Sequence, residues 1–248
     1  MKKVYIIGDK FKKFLEHENT ISISNFEKQL FRNRLPSDGI VYHLGQGVAL
    51  ERVNKIAKDS PILRDVGIHI GFDEVTKSAR HLVHKHNSAN SMISIPRRVS
   101  ELNYQADVHI DDRCAELDDH ITGQHVSGMT LVEICRQMFL AVTEQYYLKA
   151  YEKEFYFVIK SSSIEYKRFV FPLEIRADYR VLCHQTLKPG VFLFKVDVLI
   201  IQDEKVCAAS HYEFIAYGAD QIEVKEDNAA IELLLSRCDS EKAYEHGI

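Results

Sequence analysis

A long apolar segment that follows a polar loop constrains the fold of this chain more than any other feature. The segment runs from Met129 to Tyr146, and its apolar residues fall on nearly every face of a helix. Such a helix cannot lie on a surface, so the rest of the chain must enclose it. Gly128 marks the turn from the loop into the helix, since glycine adopts backbone angles that other residues resist. Thr130 is expected to cap the helix, and its spacing from Glu133 also fits a capping box.

Polar side chains collect at the start of this helix. The loop carries His120 and His125, and the first turns of the helix carry Glu133, Arg136 and Gln137. A carboxylate and a guanidinium on a buried helix must pair with each other or face a cleft. Two interpretations are therefore open: a site for a small acyl substrate, or an internal ion pair between Glu133 and Arg136.

Charge and composition limit the class of protein. The 248 residues carry a net charge of −4 and no basic cluster, which argues against a nucleic-acid partner. No apolar run is long enough for a membrane span, and the first residues do not fit a signal peptide. The five cysteines are irregularly spaced without a C-x-x-C motif, so neither structural zinc nor a disulfide framework is predicted. We therefore expect a cytoplasmic protein.

The first 76 residues alternate between strands and helices. Short apolar runs predict three buried strands, at residues 4–8, 40–45 and 66–71. Asn25 is expected to cap the helix after the first strand region. This order predicts a small parallel α/β domain over residues 1–76, of unknown role. Its glycine loops at 8–10 and 45–47 would lie where such folds bind ligands, but no phosphate-binding motif is present, so a docking or structural module is favoured.

From about residue 79 the pattern changes to strands arranged around the long helix. Two strand-like runs precede the helix and four follow it, at residues 82–95, 103–110, 155–171, 173–185, 191–206 and 208–218. His84 and His86 are expected to share one face of the first of these strands. An antiparallel sheet curved round a central helix is the hotdog fold. The predicted class is therefore α+β, with a hotdog domain over residues 79–220 behind the small parallel α/β domain.

The remaining residues, 221–248, are expected to form a polar tail with one short helix that can pack on the body. The hotdog pattern occurs once. A single hotdog leaves a sheet edge uncovered, so we expect a homodimer.

The loop and the helix start resemble a family signature. The stretch DDHITGQHVSGMTLVEICRQ, residues 118–137, is similar to the pattern D-H-x-x-D-H-V-P-G-M-x-L-x-E-A-x-R-Q of the A-factor biosynthesis hotdog family, also called the AfsA-type family. The LVHK stretch at residues 82–85 resembles the start of that family's repeat. Gln124 replaces the usual acidic residue and Ser127 the usual proline. Well-known members carry two hotdog repeats, and a homodimer of this chain would restore that arrangement.

The resemblance implies acyl-thioester chemistry. Family members are similar in fold to acyl-carrier-protein dehydratases, and the best known are implicated in transferring a β-ketoacyl group to dihydroxyacetone phosphate. The expected function is therefore transfer of a (β-keto)acyl group from acyl carrier protein or coenzyme A to a small hydroxyl acceptor, as in γ-butyrolactone signal or other secondary metabolism, without a cofactor. The alternatives are a dehydratase, a thioesterase, or a non-catalytic module that binds an acyl chain or a signal.

His120, His125 and Glu133 are the expected catalytic residues. Either histidine would take the proton from the attacking hydroxyl, since imidazole titrates near neutral pH. Glu133 would orient that histidine or act as the base itself, with a pKa raised by burial. A metal site built from these three residues is disfavoured because their spacing matches no usual motif.

Substrate binding is expected at the start of the helix, from Arg136, Gln137, Gly128 and Met129. The guanidinium of Arg136 suits a phosphate or a carboxylate. The N–H groups near Gly128 and Met129 would donate to the thioester oxygen, because the first N–H groups of a helix have no partner within it.

Overall fold

The structure, a computed structural model, describes residues 1–118, 123–151 and 153–245, with side chains as far as Arg237 in the last helix. It contains a four-stranded parallel sheet and a six-stranded antiparallel sheet. Within the described residues, no helix combines the length and the hydropathy that crossing a membrane requires.

The N-terminal unit, defined as residues 1–76, is built on the parallel sheet, with strand order β2-β1-β3-β4. Its elements are β1 (Lys2–Ile7), β2 (Thr20–Ser22), α1 (Ile23–Phe31), β3 (Ile40–Leu44), α2 (Leu50–Asp65) and β4 (His69–Ile70). The predicted parallel pairing is confirmed. The predicted cap of α1 is wrong: Ser22 is the N-cap, and its hydroxyl accepts a hydrogen bond from the backbone N–H of Asn25 at 3.2 Å.

The hotdog body, defined as residues 77–218, is built on the antiparallel sheet, with strand order β5-β6-β8-β9-β10-β7. Its elements are β5 (Arg97–Arg98), β6 (Asn103–Asp107), α3 (Ala115–Asp118), α4 (Gly128–Val142), β7 (Phe155–Tyr166), β8 (Arg176–Lys188), β9 (Val191–Gln202) and β10 (Lys205–Gly218). Helix α4 packs against β7, β8, β9 and β10. The predicted class is therefore confirmed: an antiparallel sheet around a central helix, preceded by a small parallel α/β unit.

Helix α4 is buried along most of its length, as its apolar pattern predicts. Ile134, Cys135 and Met138 are fully buried, and the ring of Phe139 stacks on that of Phe214 at 4.6 Å between centroids. The predicted cap of α4, Thr130, is wrong. Ser127 caps α4 by accepting a hydrogen bond from the backbone N–H of Thr130 at 3.3 Å, so Thr130 belongs to the first turn.

The strand predicted over residues 82–95 is wrong. This segment forms turns and a short 3₁₀ helix, Ser88–Asn90, because local hydrogen bonds bend the chain. The backbone N–H of Lys85 donates to the carbonyl of Arg80, and the Arg80 side chain donates to the carbonyl of His86 at 2.6 Å. His84 has a φ of 52°, which no strand accommodates. His84 and His86 therefore do not share a strand face.

The C-terminal helix α5 (Ala219–Glu245) is far longer than the predicted short helix. Ile222 is buried against the body, whereas Val224 and Ile231 are exposed. The expectation that the helix packs on the body holds only at its start, over the side chains that the structure describes.

The glycine loop that follows β3 docks onto the hotdog body. Gln46 is 3 % exposed, its side-chain nitrogen donates to the carbonyls of Val108 and Leu173, and its side-chain oxygen accepts from the N–H of Ile110 at 2.8 Å. The carboxylate of Asp111 accepts from the N–H of Leu50, the first residue of α2, at 3.1 Å. The position where parallel α/β folds hold anionic ligands is therefore filled by the protein's own carboxylate.

Candidate functional site

Glu133 lies in the second turn of α4 and is surrounded by donors. Its Oε2 accepts from Nε of Arg136 at 2.7 Å, and its Oε1 accepts from Nη2 of Arg136 and from Nε2 of Gln137, each at 2.9 Å. The ammonium of Lys85 is 3.0 Å from the same Oε1. The side chain of Glu133 is only 13 % exposed. Both carboxylate oxygens are therefore engaged within the protein.

The expected direction of the Glu133 pKa is wrong. Burial acts to raise it, but the hydrogen bonds and charges supplied by Arg136, Gln137 and Lys85 outweigh burial and lower the pKa of Glu133. Sequence reasoning gave the pairing of Glu133 with Arg136 as an alternative, but its expectation for the pKa of Glu133 took only burial into account. An ionised carboxylate with several donors holds a proton poorly, so the geometry disfavours Glu133 as a general base.

Arg136 and Gln137 clamp an upstream segment onto α4. The side-chain nitrogen of Gln137 donates to the carbonyl of Asn90 at 2.7 Å, and its oxygen accepts from the N–H of Met92 at 2.8 Å. Arg136 also reaches the carbonyl of Val83 at 3.4 Å. Gln137 is fully buried, so both ends of its amide are used within the fold.

The loop before α4 is described from Gly123 onward, and His120 lies outside the described residues. Gly123 has a φ of 75°, a conformation that favours glycine. The ring of His125 lies 4.8 Å from that of Phe169, and the N–H of Val126 donates to the carbonyl of Val170 at 2.8 Å. The hydrogen bonds and ring contact hold His125 close to the start of α4.

The helix start presents backbone donors beside this loop. The N–H of Leu131 donates to the carbonyl of Ser127, so the N–H groups of Gly128 and Met129 precede the first bond within the helix. Met129 is 67 % exposed. The expected special backbone angle at Gly128 is absent: its φ is not positive, and a Cβ there would lie 3.1 Å from the hydroxyl oxygen of the partly exposed Tyr166.

A small cavity of about 10 Å³ lies between the loop and the N-terminal unit, a volume that suits roughly one water molecule. Its lining combines apolar and polar side chains: Phe11, Glu116, Leu117, His125, Val126, Ser127 and Thr130. A wider cleft of about 650 Å³ opens elsewhere, beside Thr76, His109 and Glu174, and none of the expected site residues lines it.

Metal sites and reactive thiols are the other kinds of chemistry to consider among the described residues. No set of three or more His, Cys, Asp or Glu side chains there is placed to hold a metal ion. Burial raises the pKa of the Cys114 and Cys135 thiols to about 12, which leaves them protonated and unreactive. Sequence reasoning missed Lys85 and Phe11 as site neighbours, because only the tertiary fold brings them to α4.

The fold and the helix with its preceding loop place the chain among hotdog proteins. Residues 73–217 match the family model of the A-factor biosynthesis hotdog domain, AfsA. Since this match covers more than half of the chain, the chain belongs to the A-factor biosynthesis hotdog family. A comparison with curated proteins gave no match.

Several solved structures are similar over about half of the chain. A thioesterase from Pseudomonas aeruginosa is 13 % identical with a TM-score of 0.36, covering 51 % of this chain and 81 % of that one. A Streptococcus mutans protein bound to acetyl CoA is 15 % identical with a TM-score of 0.35, covering 50 % and 87 %. The dehydratase heterocomplex ApeI:P from Xenorhabdus doucetiae is 12 % identical with a TM-score of 0.46, covering 59 % and 93 %. None of these likenesses is close enough to transfer an activity to this chain.

Proposed function

We propose that the chain is a cytoplasmic enzyme that transfers a (β-keto)acyl group from an acyl carrier protein or coenzyme A thioester to a small hydroxyl acceptor. The position of His125 beside the first turn of α4 carries this proposal. The junction of loop and helix would then supply a base for the acceptor hydroxyl and backbone donors for the thioester carbonyl oxygen. Membership of the A-factor biosynthesis hotdog family supports acyl chemistry of secondary metabolism.

The proposed reaction forms one ester and releases one thiol. His120 or His125 takes the hydroxyl proton as the acceptor oxygen bonds to the thioester carbonyl carbon. The N–H groups of Gly128 and Met129 stabilise the negative charge on the carbonyl oxygen. The C–S bond then breaks, and the histidine returns the proton to the departing thiolate.

Glu133 acts in this proposal as a positioning residue rather than as a base. Its carboxylate fixes Arg136 and Lys85, which in turn hold the segment around Val83 against α4. Arg136 keeps 29 % of its side chain exposed, so a substrate phosphate or carboxylate would share this guanidinium with Glu133. We propose only a positioning role for Gln137, because it is fully buried.

We also propose a homodimer formed across β7. This strand is 12 residues long and lies at one edge of the antiparallel sheet, and Tyr156 and Ile159 on it are exposed. Pairing β7 with its copy would satisfy the free edge and bring two hotdogs together. Light scattering on the purified protein should give twice the mass of the chain.

One observation favours a second candidate, a non-catalytic module that binds an acyl chain or an acyl-derived signal. The resemblance to dehydratases implies a loop histidine acting with a helix carboxylate, and Glu133, which would supply that carboxylate, is fully paired with Arg136, Gln137 and Lys85. The same pairing makes dehydration a weaker alternative than acyl transfer, which needs only the histidine.

A panel of thioesters tests these candidates. Purified protein is incubated with acyl carrier protein and coenzyme A thioesters, with and without dihydroxyacetone phosphate, and products are followed by mass spectrometry. We expect thioester loss that requires the acceptor and falls sharply in His120→Ala or His125→Ala. His81→Ala serves as a control because this histidine is exposed and lies outside the loop.

The other outcomes separate the alternatives. Loss of thioester without the acceptor would point to a thioesterase, and loss of water with the thioester intact to a dehydratase. Retention of an acyl chain without turnover would replace the enzyme by the binding module.

A further inference from the structure

We propose that the N-terminal unit positions the loop of the candidate site, with Phe14 and His17 as positioning residues. The connection between β1 and β2 reaches across to residues 123–125, which the family signature places in the site. The catalytic part of this inference rests on the proposed function, whereas the structural part does not.

The first anchor is a backbone hydrogen bond. The N–H of Phe14 donates to the carbonyl of Gly123 at 2.9 Å. The Phe14 ring is 9 % exposed and stacks on the ring of Phe171 at 5.7 Å between centroids, so its own position is fixed by the hotdog body. Gly123 is thereby held in its left-handed conformation, which an unanchored loop would leave readily.

The second anchor is a contact between side chains. Nε2 of His17 lies 3.0 Å from the side-chain nitrogen of Gln124, and since an amide nitrogen only donates, the imidazole nitrogen accepts. The His17 ring also meets the Phe14 ring edge-on at 5.5 Å. Gln124 stands directly before His125, so a shift of Gln124 moves the candidate base.

The base of the connection is itself immobilised. Phe11 is 1 % exposed, packs within the hotdog core and lines the small cavity together with His125. Gly8, at the end of β1, approaches Gly47 so closely that a Cβ at position 8 would lie 1.8 Å from the Gly47 carbonyl oxygen. The connection is therefore fixed at both ends. We call residues 8–17 the strut, because they link the close approach of Gly8 and Gly47 to the loop at residues 123–125.

Residues 11–17 lie outside the family match, which begins at residue 73. The N-terminal unit, for which the sequence alone predicted no role, thus supports the loop at residues 123–125. Removing the anchors should let the loop sample other conformations, lowering the rate of the chemical step more than substrate affinity.

The test uses three full-length variants: His17→Ala, His17→Gln and Glu18→Ala. Glutamine restores an acceptor for Gln124, and Glu18 is an exposed neighbour of His17 that serves as the matched control. Hydrogen–deuterium exchange is followed in peptides covering Phe14 and residues 123–127. We expect exchange about 5-fold faster in His17→Ala, as loss of one hydrogen bond allows, with recovery in His17→Gln and no change in Glu18→Ala.

The kinetic readout is the split between kcat and KM on the thioester that the wild type turns over. We expect kcat to fall about 10-fold in His17→Ala with KM nearly unchanged, and to recover in His17→Gln. Unchanged exchange in His17→Ala would overturn the positioning role whatever the activity. Faster exchange in His17→Ala, together with a wild type that turns over no thioester, would contradict the proposed function and leave the structural positioning role intact.

Discussion

The two halves of the family signature are stabilised in different ways. The helix half, Glu133 with Arg136 and Gln137, is paired internally and with Lys85, and it also binds the backbone of residues 83–92. The loop half, residues 123–127, relies on supports from elsewhere in the chain, including Phe14 of the N-terminal unit.

The helix half and the loop half therefore have different roles under the proposed function. A buried ion pair whose oxygens are all engaged contributes order, since its charges are already compensated and any substrate would have to displace a partner. The loop half places the imidazole of His125 beside the first turn of α4, where the N–H groups have no acceptor within the helix. Under the proposed function, Glu133 and Gln137 of the helix half have a positioning role, and the loop half carries the proposed base.

The largest expected effect comes from Gly45→Ala, which disrupts the contact between the N-terminal unit and the hotdog body. A Cβ there would lie 2.4 Å from the carbonyl oxygen of Pro172 and 2.3 Å from Cδ1 of Ile7, so the N-terminal unit must move off the hotdog body. We expect a loss of about 3 kcal/mol in the free energy of unfolding, measured with urea. Gly39→Ala is the control: it has a φ of 68° but nothing within 4 Å of a new Cβ, so strain of about 1 kcal/mol is expected. Equal losses of unfolding free energy in the two variants would refute close packing between Gly45 and the hotdog body.

Truncation within the helix half should come next. Glu133→Ala leaves Arg136 and Lys85 partly buried without their carboxylate, and we expect a loss of about 2 kcal/mol in the free energy of unfolding. His125→Ala should cost less, about 0.5 kcal/mol, because the side chain is only partly buried. The comparison breaks if His125→Ala proves the more destabilising of the two.

A smaller effect is expected where the two halves meet. Ser127→Ala removes the hydroxyl that accepts from the N–H of Thr130, and loss of a cap costs about 1 kcal/mol. Thermal unfolding of Ser127→Ala and Ser127→Thr, side by side, checks this, since threonine keeps the acceptor. A threonine variant no more stable than the alanine variant would argue against capping.

The smallest effect is a dependence on pH. Because the pKa of Glu133 is lowered in the folded state, its ionised form contributes stability above the ordinary glutamate pKa, and that contribution is lost as pH falls through the lowered value. The stability difference between wild type and Glu133→Gln should therefore be largest near neutral pH and shrink in acid. For Ser127→Ala the corresponding difference should stay constant. A gap for Glu133→Gln that widens in acid would reverse the sign of the pKa shift.

Periodicity predicted much of the fold. Alternation in β8 and β9 and the apolar faces of α4 come from local sequence, which the burial of Val196, Val198 and Met138 reproduces. The strand predicted around His84 does not form. Hydrogen bonds within the turn, and the hydrogen bond from Arg136 of α4 to the carbonyl of Val83, outweigh the local preference for a strand.

The site was harder to predict than the fold. The residues of the signature were visible, but Lys85 is 48 positions before Glu133 and Phe14 is far from Gly123 in sequence. The local spacing of Glu133 and Arg136 indicated their ion pair, but no local pattern shows that Lys85 joins it or that Phe14 meets Gly123.

Turnover by Glu133→Gln tests the central claim most directly. The variant is compared with wild type and with His120→Ala and His125→Ala on the same acyl thioester and acceptor, after each is shown to be folded. We predict that Glu133→Gln retains most of the wild-type kcat, whereas at least one histidine variant loses nearly all of it. A folded Glu133→Gln variant without activity, beside two active histidine variants, would contradict the division between a structural helix half and a functional loop half.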